Sequence, residues 1–397
     1  MVKEVKDLDR KTMVSVERVR AAINHQEPDR IPLDLGSTKM TGISIKAYKN
    51  FIKYKGWQEL DENPEILDQV QQLALVREGV LEKLGVDTRG LIPSAPSNCK
   101  TEYREVGDYI EFTDEWGVGW KKPITGGYYF DMTSHSMSGE MNLSQLDDFT
   151  WPDPLDETRT AQFPTRIEEI KKHGDYAFLM HGVSAGILEM ALRLRGFEQF
   201  FMDLILDPGL VCGILDRLVE IKMAYWGKAL EKVEKDVLVA IEADDLGTQN
   251  SLLISPDMYR KFVKPRHKEL FSFIKDKVPG IKVFLHSCGA IKPLIPDLIE
   301  AGVDILNPVQ VSASNMNTKD LKKEFGDVLT FWGGGIDTQK VLPFGSPDQV
   351  KEEVKRRIDD LAPGGGFVFS TIHNIQADVP PQNIEAMFEV LEQCGIY

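Results

Sequence analysis

At 397 residues the chain has room for two domains or for one large α/β barrel, since such barrels run to about 250 residues and further with insertions. Apolar residues make up 42% of it, enough for a sizeable core and well outside the disordered regime. With 62 acidic against 47 basic residues the formal net charge is −15, which argues against nucleic acid or an anionic membrane surface as the main partner.

In chain order, a polar leader gives way to "VERVRAAINHQEPDR", an amphipathic helix stopped by Pro28, and then to "RIPLDLG", a short strand. A helical region is expected near 64–84, followed by the strand "LGVDTRGLI". Residues 101–121 alternate apolar and polar around Gly107 and through Trp116, Val118 and Trp120, the period of an antiparallel hairpin inserted into a different architecture. A polar, proline-containing linker is expected from there to about residue 165, so the insertion occupies about 98–165.

Beyond it the pattern is regular. "YAFLMHG", "VLVAIEADD", "VFLHSCG", "DILNPV", "LTFWGGG" and "FVFSTIH" are apolar strand candidates, separated by helix-length segments such as 256–277, 347–361 and 381–393. With "IPLDL" and "VDTRGLI" the strands number eight. Strands alternating with helices predict a parallel sheet, and eight of them a closed (β/α)8 TIM barrel, one domain over 1–397 with N-terminal helices and the hairpin insertion. A doubly wound open sheet is the alternative, but the Gly-rich phosphate turn such sheets carry after the first strand is missing.

The four cysteines (Cys99, Cys212, Cys288, Cys394) are far apart, which fits a reducing cytoplasm better than secretion. The N-terminus lacks the apolar core of a signal peptide, and no apolar run reaches the roughly 18 residues of a membrane span. A soluble, cytoplasmic protein is expected.

Active sites of such barrels lie at the carboxyl ends of the strands. Those ends carry Asp34, Asp87 with Arg89, His181, Glu242 with Asp244 and Asp245, His286 with Cys288, Asn307, Trp332 with Asp337, and His373. Polarity resumes at any strand end, which accounts for many of them; a turn, however, needs neither imidazole nor thiol. In a strand, positions i and i+2 point the same way, so His286 and Cys288 stand side by side if the strand persists that far. Each is a ligand of the kind zinc prefers, although each alone also reads as a core residue. Asp87, Asp244 and His373 are expected to line one cavity at the mouth. For Asp87 the competing role is a salt bridge to Arg89; for Asp244 and Asp245 it is capping a helix or loop; for Trp332 it is the core, and for Asp337 a cap on "TQKVL".

Together these segments resemble the uroporphyrinogen decarboxylase superfamily, which includes the cobamide-dependent methyltransferases. The resemblance rests on "RVRAAINHQEPDRIPLD", "LGVDTRG", "DDLGTQNSLLISPDMYRKFVKP", "FWGGGIDTQKVLPFGSPDQV" and "STIHNIQADVPPQNIEAM", in that order and spacing. It implies a (β/α)8 barrel. The decarboxylases carry an arginine-rich stretch after the first strand; here "LGSTKMTG" has one lysine and no arginine, too few cations for the carboxylates of a tetrapyrrole.

The methyltransferase branch places a His-x-Cys pair at the end of a middle strand, which "HSC" at 286–288 resembles, and completes its zinc site with a cysteine after the last strand. The matching position here is His373, a departure that leaves the third ligand open between His373, Glu242 and Asp244. The resemblance implies a zinc-dependent methyltransferase that moves a methyl group between a corrinoid protein and a small-molecule acceptor or donor. Its metal ligands would be His286, Cys288 and His373, its catalytic residues His373 and Asp87, and its substrate-binding residues Asp244, Trp332 and Asp337. The corrinoid would sit on a separate partner protein, and a homodimer is compatible with the pattern. The alternative is a cofactor-free decarboxylase of a carboxylic acid, with His373 moving a proton.

Overall fold

The computed structural model describes residues 12–99, 101–233 and 235–397. Among the described residues, one seven-stranded parallel sheet follows chain order from edge to edge: β1 (Thr88–Leu91), β2 (Ala177–His181), β3 (Val237–Ala243), β4 (Lys282–His286), β5 (Ile305–Asn307), β6 (Thr330–Trp332) and β7 (Phe367–Val368). The central strands are apolar without alternation because both faces are covered, the usual condition of a parallel sheet.

The expected first strand joins the two edges of this sheet. Leu33 forms a parallel bridge with Phe369 just past β7. The Asp34 amide donates to the Phe369 carbonyl at 2.9 Å, and the Asp87 amide before β1 donates to the Leu33 carbonyl at 2.9 Å. The segment around 32–34 thus serves both edges, and the ring has the TIM-barrel form predicted from the strand count.

Inside the ring, Leu179, Val239, Ile241, Phe284, Ile305, Trp332 and Val368 pack together with Val19, Ala22 and Ile23 of the helix Ser15–Ile23. That helix plugs the foot of the barrel, where the strands begin. Outside, the helix Pro208–Val233 packs against Ile187–Arg195 and Lys264–Lys277, and Pro347–Leu361 packs against Pro381–Cys394.

The N-terminal region departs from expectation in detail. The helix foreseen across 64–84 is confined to Glu78–Leu84, and Ile66–Asp68 pairs with Leu73–Ala74 instead. A helix not foreseen, Ile45–Lys55, starts at Ser44, whose hydroxyl accepts from the Ala47 amide, and stops at Gly56 with φ +69°.

The insertion is larger than a hairpin. Arg104–Val106, Tyr109–Thr113, Gly119–Pro123 and Asp131–Ser134 form a four-stranded antiparallel meander, its last strand drawn from the stretch expected to be a linker. Phe112, Trp120 and Phe130 pack on one face, which gives the fourth strand an apolar surface to dock on. The meander leans on the helix Ile187–Arg195 beside the barrel mouth: the Arg193 guanidinium lies 5.5 Å above the Trp120 ring, and the Met137 amide donates to the Leu194 carbonyl at 2.8 Å. Among the described residues, no helix is long and apolar enough to cross a membrane.

Candidate metal centre

The site is built on the end of β4. His286 is the last strand residue, in register with Ala243 of β3 and Asn307 of β5. The ladder runs one step further, because the Ser287 amide donates to the Asn307 carbonyl at 2.7 Å. The alternation of sides therefore persists to Cys288, and its Sγ comes to 3.4 Å from His286 Nε2.

The chain then turns sharply. Gly289 has φ +97°, and a Cβ there would lie 2.5 Å from the Gly247 carbonyl carbon, so only glycine fits. Asp245 Oδ1 accepts from the Cys288 amide at 2.8 Å, Gln310 Oε1 accepts from the Gly289 amide at 2.6 Å, and the Thr248 carbonyl accepts from the Ala290 amide at 2.8 Å. The loops after β3 and β5 hold the thiol in place.

His373 arrives from the other side, after β7. Its ring centroid is 5.4 Å from that of His286 at an interplanar angle of 70°. Next to it, Asn374 accepts from the Gly42 amide at 2.6 Å and donates to the Lys39 carbonyl at 2.9 Å, tying this loop to the one after the first strand.

One ligand atom from each of His286, Cys288 and His373 lies within 4.8 Å of the other two. Tetrahedral zinc with bonds of about 2.0–2.3 Å to nitrogen and sulfur sets ligand atoms roughly 3.3–3.6 Å apart. The 3.4 Å edge between Sγ and Nε2 already has that length, so the three residues fit such an ion. Burial pushes the Cys288 thiol well above its usual range, with Asp245 and Glu189 adding to the effect. Burial, with the neighbouring His286 adding to it, lowers His373 to about 3, so the ring is neutral at pH 7 with a lone pair to give. His181, also at the mouth, is lowered to about 3 by burial and by Lys39.

The remaining candidates are engaged elsewhere. Asp87 precedes β1 and lies at the foot of the barrel, not at its mouth. Its carboxylate is fully buried and pairs with Arg18 at 2.6 Å and Arg30 at 2.8 Å, not with Arg89, whose partner is Glu78. Asp244 is likewise buried, and accepts from the Leu188 and Glu189 amides at the start of the helix Ile187–Arg195 and from His267 Nε2 at 2.9 Å. It caps a helix of the preceding βα unit and does not line a cavity with His373.

Glu242, an alternative third ligand, is taken up by Lys222 at 2.7 Å and Trp226 Nε1 at 2.7 Å. Trp332 is fully buried inside the barrel, edge-on to Phe284, with its indole N–H on Asp34 Oδ2 at 2.8 Å, so it is core and not a pocket wall. Asp337 accepts from the Gln339 and Lys340 amides, the cap on "TQKVL". Two residues outside the expected ligand set hold the site together: Asp245, which caps the loop at the Cys288 amide, and Asn307, whose Oδ1 is 2.5 Å from His286 Nδ1. Asn307 stood among the strand-end polar residues, which was the only signal available for it.

A family model described as uroporphyrinogen decarboxylase (URO-D) matches residues 136–394. The chain belongs to the URO-D family. It is similar to a methylated-thiol–coenzyme M methyltransferase of Methanosarcina mazei, 24% identical over 283 residues, which takes in 71% of this chain and 68% of the relative. It is also similar to a uroporphyrinogen decarboxylase of Chlorobium phaeobacteroides, 27% identical over 185 residues, covering 44% of this chain and half of the relative's length. Among solved structures, a methyltransferase from Methanosarcina mazei superposes with a TM-score of 0.62 at 20% identity, over 96% of this chain and 99% of the other. The expected lean towards the methyltransferase branch agrees with the M. mazei relative, and the solved structure agrees with the expected fold.

Proposed function

We propose that this URO-D family protein is a zinc-dependent methyltransferase that passes a methyl group between a corrinoid carried on a separate protein and a small thiol, acting in the cytoplasm. The observation that carries the reading is the convergence of His286, Cys288 and His373, three soft ligands from two strand ends, on one point. The M. mazei relative, named for methylated thiols and coenzyme M, supports the substrate class. Tetrapyrrole decarboxylation is disfavoured at the loop after the first strand, where the lone cation Lys39 is already paired with Asp68 at 3.1 Å.

In this reading His286 Nε2, Cys288 Sγ and His373 would hold the metal, three protein ligands being the usual number in a catalytic zinc site. A bound zinc ion supplies the positive charge that lets a thiol, whose pKa is about 8.5 in water, lose its proton near neutral pH. Two neutral imidazoles and one thiolate would offset only half of a divalent ion's charge, which would favour an anionic sulfur beside it. Gly289, Asp245 and Gln310 keep Cys288 beside His286.

The test is methyl transfer from free methylcobalamin to a panel of small thiols by the zinc-loaded protein. Zinc-dependent loss of methylcobalamin with formation of the methyl thioether supports the proposal; zinc-independent release of carbon dioxide from a carboxylic acid substrate would replace it with the decarboxylase reading.

A further inference from the structure

Asn307 ends β5 opposite His286 and is fully buried. Its carboxamide makes two hydrogen bonds that together leave one arrangement. Nδ2 lies 2.8 Å from the Trp332 carbonyl, which can only accept, so the amide N–H must face it. Oδ1 is then the atom 2.5 Å from His286 Nδ1. An amide oxygen cannot donate, so Nδ1 of His286 carries the proton. The lone pair of the neutral ring is left on Nε2, the nitrogen that faces Cys288 Sγ.

The carboxamide cannot turn over. Turned over, it would set Oδ1 against the Trp332 carbonyl oxygen, two acceptors with no proton to share. The Trp332 residue that supplies the carbonyl is anchored in turn by its indole N–H on Asp34. Asp34 itself is held by the hydroxyls of Ser37 at 2.5 Å and Thr88 at 2.8 Å.

We propose that Asn307 is a positioning residue for the candidate metal centre: through its hold on the Trp332 carbonyl it fixes His286 as the Nδ1–H tautomer and aims Nε2 at the ion. Partners of this kind orient metal-binding imidazoles and set their basicity. The proposal rests on the metal-centre reading for its purpose, but its tautomer can be tested without metal.

Two measurements decide it. The first is nitrogen NMR of histidine-labelled, metal-free protein at about pH 8, with the His286 signals identified by their loss in His286→Gln. A proton on Nδ1 and a bare Nε2 are expected; a proton on Nε2 overturns the proposal whether or not the protein binds zinc. The second is zinc affinity and thermal stability of two variants. Asn307→Leu keeps the volume and removes the acceptor, and is expected to bind zinc about 10–100-fold more weakly.

Asn307→Asp keeps an acceptor for Nδ1–H but sets a carboxylate oxygen against the Trp332 carbonyl. It is expected to be less stable than wild type and yet to bind zinc within about threefold of it, or more tightly. Equal losses of affinity in both variants, in step with stability, reduce Asn307 to a packing role and overturn the proposal. Should Asn307→Leu fail to fold, the tautomer and the Asp variant still decide. A wild type that binds no zinc yet shows the Nδ1–H tautomer refutes the metal reading and with it the proposed purpose.

Discussion

His286 and Cys288 are separated by one residue, and Nε2 of the first stands 3.4 Å from Sγ of the second. The contact depends on a single extra rung, the Ser287 amide on the Asn307 carbonyl, which carries strand geometry past the last formal strand residue. Without that rung the chain is free to turn at Ser287 and the thiol to face away from the imidazole.

Zinc binding is expected to release one proton per ion at about pH 8. The Cys288 thiol is raised by burial and therefore protonated in the metal-free protein, while His373 is held neutral and has no proton to lose. Since the metal takes the thiolate, affinity should rise about tenfold per pH unit below the thiol's pKa. Calorimetry in buffers of different protonation enthalpy measures the count; a count of zero contradicts Cys288 as a ligand.

His373→Cys restores the ligand type of the methyltransferase branch. Zinc should remain bound, and the number of protons released should go from one to two, because a second thiol must ionise. His373→Ala should weaken zinc binding strongly. If neither substitution changes affinity or proton count, His373 is not a ligand.

Asp87→Ala should cost about 3–5 kcal/mol of stability, the range for removing one partner of a buried ion pair, since the buried Leu33 amide loses its acceptor and Arg18 is left with Asp29 alone. Zinc affinity of the folded protein should be unchanged, as the pair lies at the opposite end of the barrel. Urea denaturation and a competing chelator dye read the two quantities separately. A stable variant with lost zinc binding would return Asp87 to the site.

Asp244→Ala removes the acceptor for two helix-start amides and for His267 together. A loss of about 1–3 kcal/mol is expected in chemical denaturation. A stability within experimental error of wild type would contradict the capping role.

The barrel strands were legible because strands buried on both faces are written as unbroken apolar runs, as in "AFLMH" and "VLVAIE". The ends of the runs were less so. "VDTRGLI" contains an aspartate, but the strand begins one residue after it, and that shift moves Asp87 from the mouth to the foot. Its partners Arg18 and Arg30 are 69 and 57 residues away, beyond any local pattern. Asp244 caps a helix that starts 57 residues earlier in the chain, so no capping motif marks it. The His-x-Cys pair was readable because strand period alone predicts its geometry. Asn307 was not, since its role depends on a carbonyl of the next strand.

The most direct test of the central claim is zinc content and affinity of the wild type beside Cys288→Ser and His286→Ala, each checked for folding and loaded under the same conditions. One zinc per chain in the wild type, and a loss of at least about tenfold in affinity in each variant, is the predicted result. Negligible zinc in all three would contradict it, and would leave His373 to be tested as a proton-transfer group in a decarboxylase.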